Sequence, residues 1–442
     1  MLYSDDSAPR APLADFAGRA VARRASVARP PAELLRPVPP AEGSALGKSA
    51  NSVTPPHPPT GTGKPPDPIR RARYRLRDRL RPLAGSARVR ECGRARIAPT
   101  VQVVTHAGRA SLRGISTCGS VWVCPCCQAT IQAERAQELG KLVRLAEERG
   151  LLVFMFSLTV RHGLGDELGG AVRGLANAWR RTTRGAPWRR FAERAAIVGT
   201  VRALEVTHGN ANGWHPHLHV LVLVRPTVTN GADDVHPFEL EEHGPELREL
   251  GEEVELGATP DRQLLAWLGR RWQGAVEAEL GRAHRPDLVH GFHCAPAYAE
   301  SYLVKLGLEL ASSGTKSAHG DSRTPWELAE LATKGDEAAA RLWRDYSEAM
   351  FRRKQLTWTR ELRELFEIPE VADEVAAARE AEGPAVLVAD LDRETWAAVL
   401  RRRAVLDLLE AAEAARSAEL VPLVVELALR ALDRPPLDCA EA

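Results

Sequence analysis

The sequence predicts an α+β protein whose largely antiparallel sheet carries its helices mostly on one side. One observation is the order of elements between residues 151 and 311, which runs strand, helix, strand, strand, helix, strand, helix. Another is a hairpin pattern inside that run, where a polar, glycine-containing turn separates two apolar strands. A cysteine-rich segment before the run and a polar, helical segment after it indicate two further parts.

Each element has its own local signal. Residues 151–160 form a short apolar strand, and a helical stretch at 168–196 follows, with a break near Pro187. The hairpin strands are residues 201–207 and 217–224, on which side chains alternate between the two faces of the sheet. The remaining predicted elements are a helix at 261–282, a strand at 288–293 and a helix at 296–311.

Composition divides the chain into four parts. Residues 1–68 are rich in proline, alanine, glycine and serine without a sustained apolar period, so we expect a disordered tail. A basic, cysteine-rich module at 69–148, predicted to bind zinc, precedes the sheet domain at 149–322. A helical C-terminal region at 323–442 completes the predicted organisation.

Charge and hydropathy indicate whether the chain can bind nucleic acid or a membrane. The net charge of +2 gives no global basicity, so contact with nucleic acid depends on local clusters. Arginines concentrate from Arg70 to Arg96, which is typical either of a solvated, poorly ordered face or of a phosphate-binding one. The longest apolar run, residues 151–158, is far shorter than the ~20 residues that cross a bilayer, and the acidic N-terminus lacks a secretory pattern. We therefore expect a cytoplasmic protein without membrane contact.

The hairpin carries a pattern typical of a divalent-metal site. His217 and His219 are separated by one apolar residue, so both imidazoles lie on the same face of their strand. A turn centred near residues 211–212 places Glu205 opposite them as a third ligand. His215 shares that face and is the alternative third ligand. Two nitrogens and one oxygen with open positions suit Mg²⁺ or Mn²⁺ acting on a phosphate.

Five of the seven cysteines lie between residues 92 and 127. In a reducing compartment this crowding favours metal binding over disulfides. Cys92, Cys118, Cys124 and Cys127 form the predicted tetrahedral, structural Zn²⁺ site, with Cys126 as a substitute if the register shifts.

A candidate nucleophile lies on the last predicted helix of the sheet domain. Tyr298, Tyr302 and Lys305 are spaced four and three residues apart, which places two phenols and one ammonium on one helical face. A phenol attacks a phosphodiester when a cation or metal stabilises its developing charge.

These segments together resemble the plasmid rolling-circle replication initiators (Rep proteins), members of the HUH nuclease superfamily named for its His-hydrophobe-His motif. The likeness covers about residues 90–358. It rests on five segments in the family's order: residues 118–127 with Arg135 and Glu138, residues 156–162, residues 202–207, residues 213–221, and Tyr302 to Lys305.

The resemblance implies an HUH-type endonuclease domain at 149–322 that nicks a single-stranded or extruded plasmid origin. His217 and His219 would bind Mg²⁺ or Mn²⁺, and Tyr302 would become attached to a 5′ phosphate. The free 3′ hydroxyl would prime a host polymerase, with a host helicase as a further partner. The zinc module and the arginine-rich stretch are expected to grip DNA rather than perform chemistry.

Some relatives use a glutamate one helical turn before the tyrosine for termination. This chain has Tyr298 there, while Glu300 points elsewhere on the helix. A second transfer by Tyr298 is therefore a hypothesis. Two other functions fit part of the pattern. One is a transposase or relaxase of the same superfamily. The other is a non-catalytic, zinc-dependent DNA-binding regulator, but that function leaves the arrangement of the tyrosines and the lysine unexplained.

Overall fold

The structure is a computed structural model that describes residues 67–226, 260–297, 322–378 and 385–414. The tail and the predicted helix beyond residue 297 lie outside these ranges. The described strands are β1 (Val101–His106), β2 (Arg109–Arg113), β3 (Leu152–Leu158), β4 (Ile197–Gly209), β5 (Gly213–Val224), β6 (Phe292–Pro296), β7 (Ser322–Arg323), β8 (Leu356–Trp358) and β9 (Val386–Leu391).

The helices within the described ranges pack against these strands and against one another. They are α1 (Pro68–Leu80), α2 (Ala87–Arg90), α3 (Pro125–Glu148), α4 (Leu168–Thr182), α5 (Gly185–Arg194), α6 (Pro260–Leu280), α7 (Leu288–Gly291), α8 (Pro325–Thr333), α9 (Glu337–Ala349), α10 (Leu362–Leu365), α11 (Asp373–Ala378), α12 (Arg393–Arg401) and α13 (Val405–Ala414). None of these helices is both long enough and apolar enough to cross a membrane.

The larger sheet is antiparallel throughout and has the strand order β6-β3-β5-β4-β7, with β8 also paired to β4. The α+β prediction with an antiparallel sheet is confirmed at this level. A smaller antiparallel sheet has the order β2-β1-β9. It joins residues of the cysteine-rich segment to a strand from the C-terminal part of the chain.

Helices cover both faces of the larger sheet. On β5, Val220 and Val222 point into a core with α4, α5 and α6. Leu221 and Leu223 point the other way, into a second core formed with α3 and α10. The expectation of helices mostly on one side is therefore wrong at this end of the sheet. The second face of β5 becomes apolar beyond His219, and α3 buries that apolar half.

The local predictions hold best at the hairpin, where β4 and β5 meet in a short turn at residues 210–212. The predicted helix 168–196 is broken earlier than expected, at residues 183–184, and Pro187 lies in the first turn of α5, where its missing N–H costs no bond. The strand predicted at 288–293 is wrong for its first four residues. There the Asp287 side chain accepts a hydrogen bond from the N–H of His290 and starts α7, and β6 follows.

The first part of the arginine-rich stretch is an ordered helix rather than a solvated, poorly ordered face. The side chains of Arg70 and Arg71 in α1 form ion pairs with Glu413 and Glu410 of α13. Arg77 is buried, and its guanidinium lies 4.5 Å from the centre of the Tyr74 ring. These three arginines therefore serve internal contacts, and their charges are not free for phosphate.

Candidate functional site

The hairpin brings three metal-type ligands together. Glu205 on β4 lies directly opposite His217 on β5, and His219 follows two residues along on the same face. One carboxylate oxygen of Glu205 is 3.2 Å from Nε2 of His217 and 3.1 Å from Nε2 of His219. One ligand atom from each residue lies within 4.8 Å of the other two. Nitrogens and oxygens gathered this closely fit a single divalent cation.

Neighbouring groups orient both imidazoles toward Glu205. Ser157 on β3 is paired with His219 across the sheet, and its hydroxyl lies 3.0 Å from Nδ1 of that ring. Nδ1 of His217 lies 3.4 Å from the backbone carbonyl of His215, which can only accept a proton. With a metal ion bound at Nε2, this carbonyl would accept the ring proton from Nδ1 and hold the imidazole in the orientation of a ligand.

The electrostatics of the triad favour an ionised carboxylate. Burial alone would raise the pKa of Glu205, but hydrogen bonds from His217 and His219 lower that pKa well below its usual range. The triad therefore presents one anionic oxygen and two imidazole nitrogens. A divalent cation would replace the two His–Glu contacts with metal bonds without requiring any of the three side chains to move far.

His215 belongs to a different pair. Its Nδ1 lies 2.6 Å from Nε2 of His162, in the loop after β3, and Nδ1 of His162 lies 2.8 Å from the backbone carbonyl of Asn212. Burial and the neighbouring His217 and His162 lower the pKa of His215 to about 3, so the ring is neutral at physiological pH. Of the two alternatives for the third ligand, the structure brings Glu205 to the histidine pair and joins His215 to His162.

The direction of these bonds follows from the carbonyl of Asn212. Since a carbonyl accepts, Nδ1 of His162 donates to it, and Nε2 of His162 must then accept from Nδ1 of His215. The sequence analysis includes His162 only as the last residue of the segment 156–162, without a role of its own. Its pairing with a residue 53 positions away depends on tertiary structure.

Four buried cysteines form a second ligand group. Sγ of Cys92 lies 3.7 Å from that of Cys124 and 3.5 Å from that of Cys127, and Sγ of Cys118 lies 3.6 Å from that of Cys127. Tetrahedral Zn²⁺ with bonds of about 2.3 Å would separate its sulfurs by about 3.8 Å, so the arrangement fits zinc. Burial raises the pKa of the Cys126 thiol to about 12, and Cys126 is outside the group.

Two glycines allow the chain to turn sharply after its cysteines. Gly93 and Gly119 follow Cys92 and Cys118 and have φ angles of 69° and 61°. A Cβ at Gly93 would lie 2.5 Å from the guanidinium of Arg77, and one at Gly119 would lie 2.8 Å from the side chain of Glu374. Any other residue at these two positions would be strained and crowded.

The predicted nucleophile region lies outside the described residues. This applies to Tyr298, Tyr302 and Lys305, and also to Glu300. The described chain ends before them at Ala297, whose N–H donates to the carbonyl of Val153 on β3. Their assignment stays a prediction.

Comparisons with known proteins find replication proteins among the relatives of this chain. A family model described as a replication protein matches residues 109–232, which include three of the four clustered cysteines and the whole hairpin. A Rep protein of Streptomyces lividans is 29% identical over 374 residues, covering 70% of this chain and 78% of that protein. No solved structure matches.

Two shorter matches cover less than half of the relatives concerned. A Rep protein of Streptococcus pneumoniae is 27% identical over 158 residues, or 35% of this chain and 47% of that protein. A protein named neomycin resistance protein, from Streptomyces cyanogenus, is 31% identical over 144 residues, or 27% of this chain and 33% of that protein.

Proposed function

Because the chain belongs to the Rep family of plasmid replication initiators, we propose that it starts rolling-circle replication by metal-dependent nicking of its plasmid origin. The observation that carries the proposal is the meeting of Glu205, His217 and His219 around one point on adjacent strands. Such a mixed oxygen and nitrogen set with open positions suits catalysis on a phosphate better than a closed structural site does.

Glu205, His217 and His219 would hold Mg²⁺ or Mn²⁺, and such an ion supplies polarisation of one phosphate when it is bound. Ser157 keeps His219 turned toward Glu205, and the carbonyl of His215 does the same for His217. The charged carboxylate of Glu205 attracts the cation. Substrate DNA would lie across this face of the sheet as a single-stranded or extruded segment.

By resemblance, Tyr302 is the nucleophile. Its phenolic oxygen forms a bond to phosphorus, the bond from phosphorus to the 3′ oxygen breaks, and the phenolic proton is transferred to that oxygen. The products are a 5′-phosphotyrosine link and a free 3′ hydroxyl. Lys305 would stabilise negative charge on the phenolate or phosphate. Tyr298 would attack in a second strand transfer. The variant Tyr298→Phe should abolish that second transfer and still form the first covalent adduct. Unchanged termination in this variant would rule out the role of Tyr298.

The remaining assignments follow from this role. Cys92, Cys118, Cys124 and Cys127 would hold a structural Zn²⁺ that stabilises the module at residues 69–148. The endonuclease domain would span 149–322 and a helical C-terminal region 323–442. The partners would be plasmid origin DNA, a host helicase and a host polymerase, and we expect the protein to act in the cytoplasm.

The test is formation of a covalent adduct. Purified protein and Mn²⁺ are incubated with labelled single-stranded DNA covering the candidate origin of its own plasmid, and a denaturing protein gel separates the products. We expect an adduct with the wild type and with Tyr74→Phe, a matched control in α1, and none with Tyr302→Phe, Glu205→Gln or added EDTA. No adduct on DNA shown to bind would favour the non-catalytic regulator, and an adduct with Tyr302→Phe would exclude this nucleophile.

A further inference from the structure

The outward-facing side of α4 carries arginines that form no ion pair with an acidic side chain among the residues that the structure describes. The helix buries Leu175 and Ala178 against the sheet, while Arg173 and Arg180 are exposed and lie seven residues apart on one helical face. Two half-buried arginines lie beside them. Arg202 comes from β4, and Arg353 follows the C-terminal end of α9.

Hydrogen bonds to neutral groups hold three of these side chains in place. Arg180 donates to the side-chain oxygen of Asn177 at 2.6 Å, and Arg202 donates to the hydroxyl of Thr357 at 3.2 Å. Arg353 donates from Nε to the carbonyl of Ala349 at 2.6 Å. A guanidinium has five N–H groups, so each keeps donors for another partner.

The four guanidinium groups form two like-charged pairs, Arg180 with Arg202 and Arg173 with Arg353. Burial and the nearby Arg180 lower the pKa of Arg202, and burial and the nearby Arg173 lower the pKa of Arg353. Glu167 approaches Arg173 near the start of α4, but none of the four arginines forms an ion pair with an acidic side chain in the described parts of the chain. Two like-charged pairs on one surface are unfavourable unless an anion lies between them.

Some other arginines of the chain are neutralised by carboxylates. Arg181, the next residue on α4, pairs with Glu279 at 3.3 Å, and Arg135 pairs with both Glu138 and Asp373 at 2.7 Å. The arginines near the N-terminal end of α1 are paired as well.

We propose that Arg173, Arg180, Arg202 and Arg353, here called the arginine ridge, dock the phosphate backbone of duplex DNA next to the nicked segment. The polyanion is identified as DNA through the proposed function. Arginine suits phosphate because its planar N–H groups match phosphate oxygens. Arg173 and Arg180 are about 10 Å apart along a rigid helix by its 1.5 Å rise per residue, so the two guanidinium groups can contact separate phosphates.

The ridge and the metal triad lie on opposite faces of the larger sheet and share strand β4. Arg202 is three residues before Glu205 on β4, about 10 Å along the strand, and the two side chains point to opposite faces because their separation is odd. A DNA molecule whose single-stranded part reaches the triad can therefore continue as duplex around the edge of the sheet formed by β4 and β8.

The experiment measures binding of the full chain to a labelled duplex by fluorescence anisotropy at several NaCl concentrations. The double variant Arg173→Ala/Arg180→Ala is expected to lower the slope of log Kd against log [NaCl] by about 1.8, since each lost phosphate contact removes about 0.9. Arg181→Ala, the ion-paired neighbour on the same helix, should leave the slope within about 0.3 of the wild type. An unchanged slope in the double variant would overturn the proposal.

Two further measurements separate the loss of phosphate contacts from misfolding and distinguish duplex from single-stranded DNA. Arg173→Lys/Arg180→Lys retains the charges, so it should retain the slope even if the alanine variant is poorly folded; a slope as low as that of the alanine variant would overturn the proposal. A slope reduction as large on single-stranded DNA as on duplex would overturn the duplex assignment. The covalent adduct on single-stranded DNA is scored separately, so failure of nicking and failure of the ridge are distinguishable.

Discussion

The hydroxyl of Ser157 lies 3.0 Å from Nδ1 of His219, and Nε2 of the same ring lies 3.1 Å from the carboxylate of Glu205. The ring is thus held from both sides by residues of two different strands. A metal ligand held in this way needs little reorganisation when its cation arrives, because its rotation is already restricted.

Removal of the Ser157 hydroxyl should weaken metal binding without removing a ligand. Ser157→Ala is expected to lower the affinity for Mn²⁺ by roughly 10- to 100-fold, the usual effect of losing a hydrogen bond behind a metal-bound histidine. Isothermal titration calorimetry with Mn²⁺ measures this. Thr159→Val is the control, because its hydroxyl donates to the carbonyl of His290 instead. Equal affinities for Ser157→Ala and the wild type would show that the contact does not orient the ring.

Glu205 and His215 should respond differently to substitution. Glu205→Ala removes the only carboxylate of the triad and is expected to lower Mn²⁺ affinity by roughly 100-fold or more, while His215→Ala, which breaks the pair with His162, should change it by less than about 5-fold. The same titration measures both variants. The reverse order of effects would make His215 the third ligand.

The four-cysteine group should be necessary for a stable fold. Cys118→Ser is expected to release bound zinc and to lower the free energy of unfolding by about 3 kcal/mol or more, because binding of a structural metal contributes directly to folding. Elemental analysis and thermal unfolding measure the two effects. Cys126→Ser, at a neighbouring thiol outside the group, should retain its zinc, and loss of zinc there would indicate a different ligand set.

The sequence predicted the triad well because its members lie on one hairpin. The alternation of side chains and the position of the turn are local properties, and together they place Glu205 opposite His217. The cysteine cluster could be predicted for a similar reason. Its four ligands lie within a segment of 36 residues, and the binding of zinc by clustered thiols is chemically specific.

Contacts between distant segments could not be predicted in the same way. The partner of Ser157 is 62 positions away, and the ion pair between Arg71 and Glu410 joins residues 339 positions apart. Neither depends on a local pattern. The placement of α3 over the second face of the sheet likewise depends on strand order, which periodicity does not reveal.

The last prediction concerns a charge network that joins α3 to later parts of the chain. Glu138 accepts from Arg135 at 2.7 Å and from Arg363 at 3.0 Å, and Arg135 also donates to Asp373 at 2.7 Å. The side chains of Glu138 and Arg135 are only 6% and 9% exposed, so water replaces a lost partner poorly.

Glu138→Ala should therefore destabilise the fold by about 3 kcal/mol, because it leaves two guanidinium groups with less compensation in a buried setting. Chemical denaturation measures the change, and the exposed Glu148→Ala on the same helix should stay within about 0.5 kcal/mol of the wild type. A loss below about 1 kcal/mol for Glu138→Ala would mean that Asp373 and solvent satisfy Arg135 without it. The network would then contribute to the docking of α11 on α3 without being needed for the stability of the sheet.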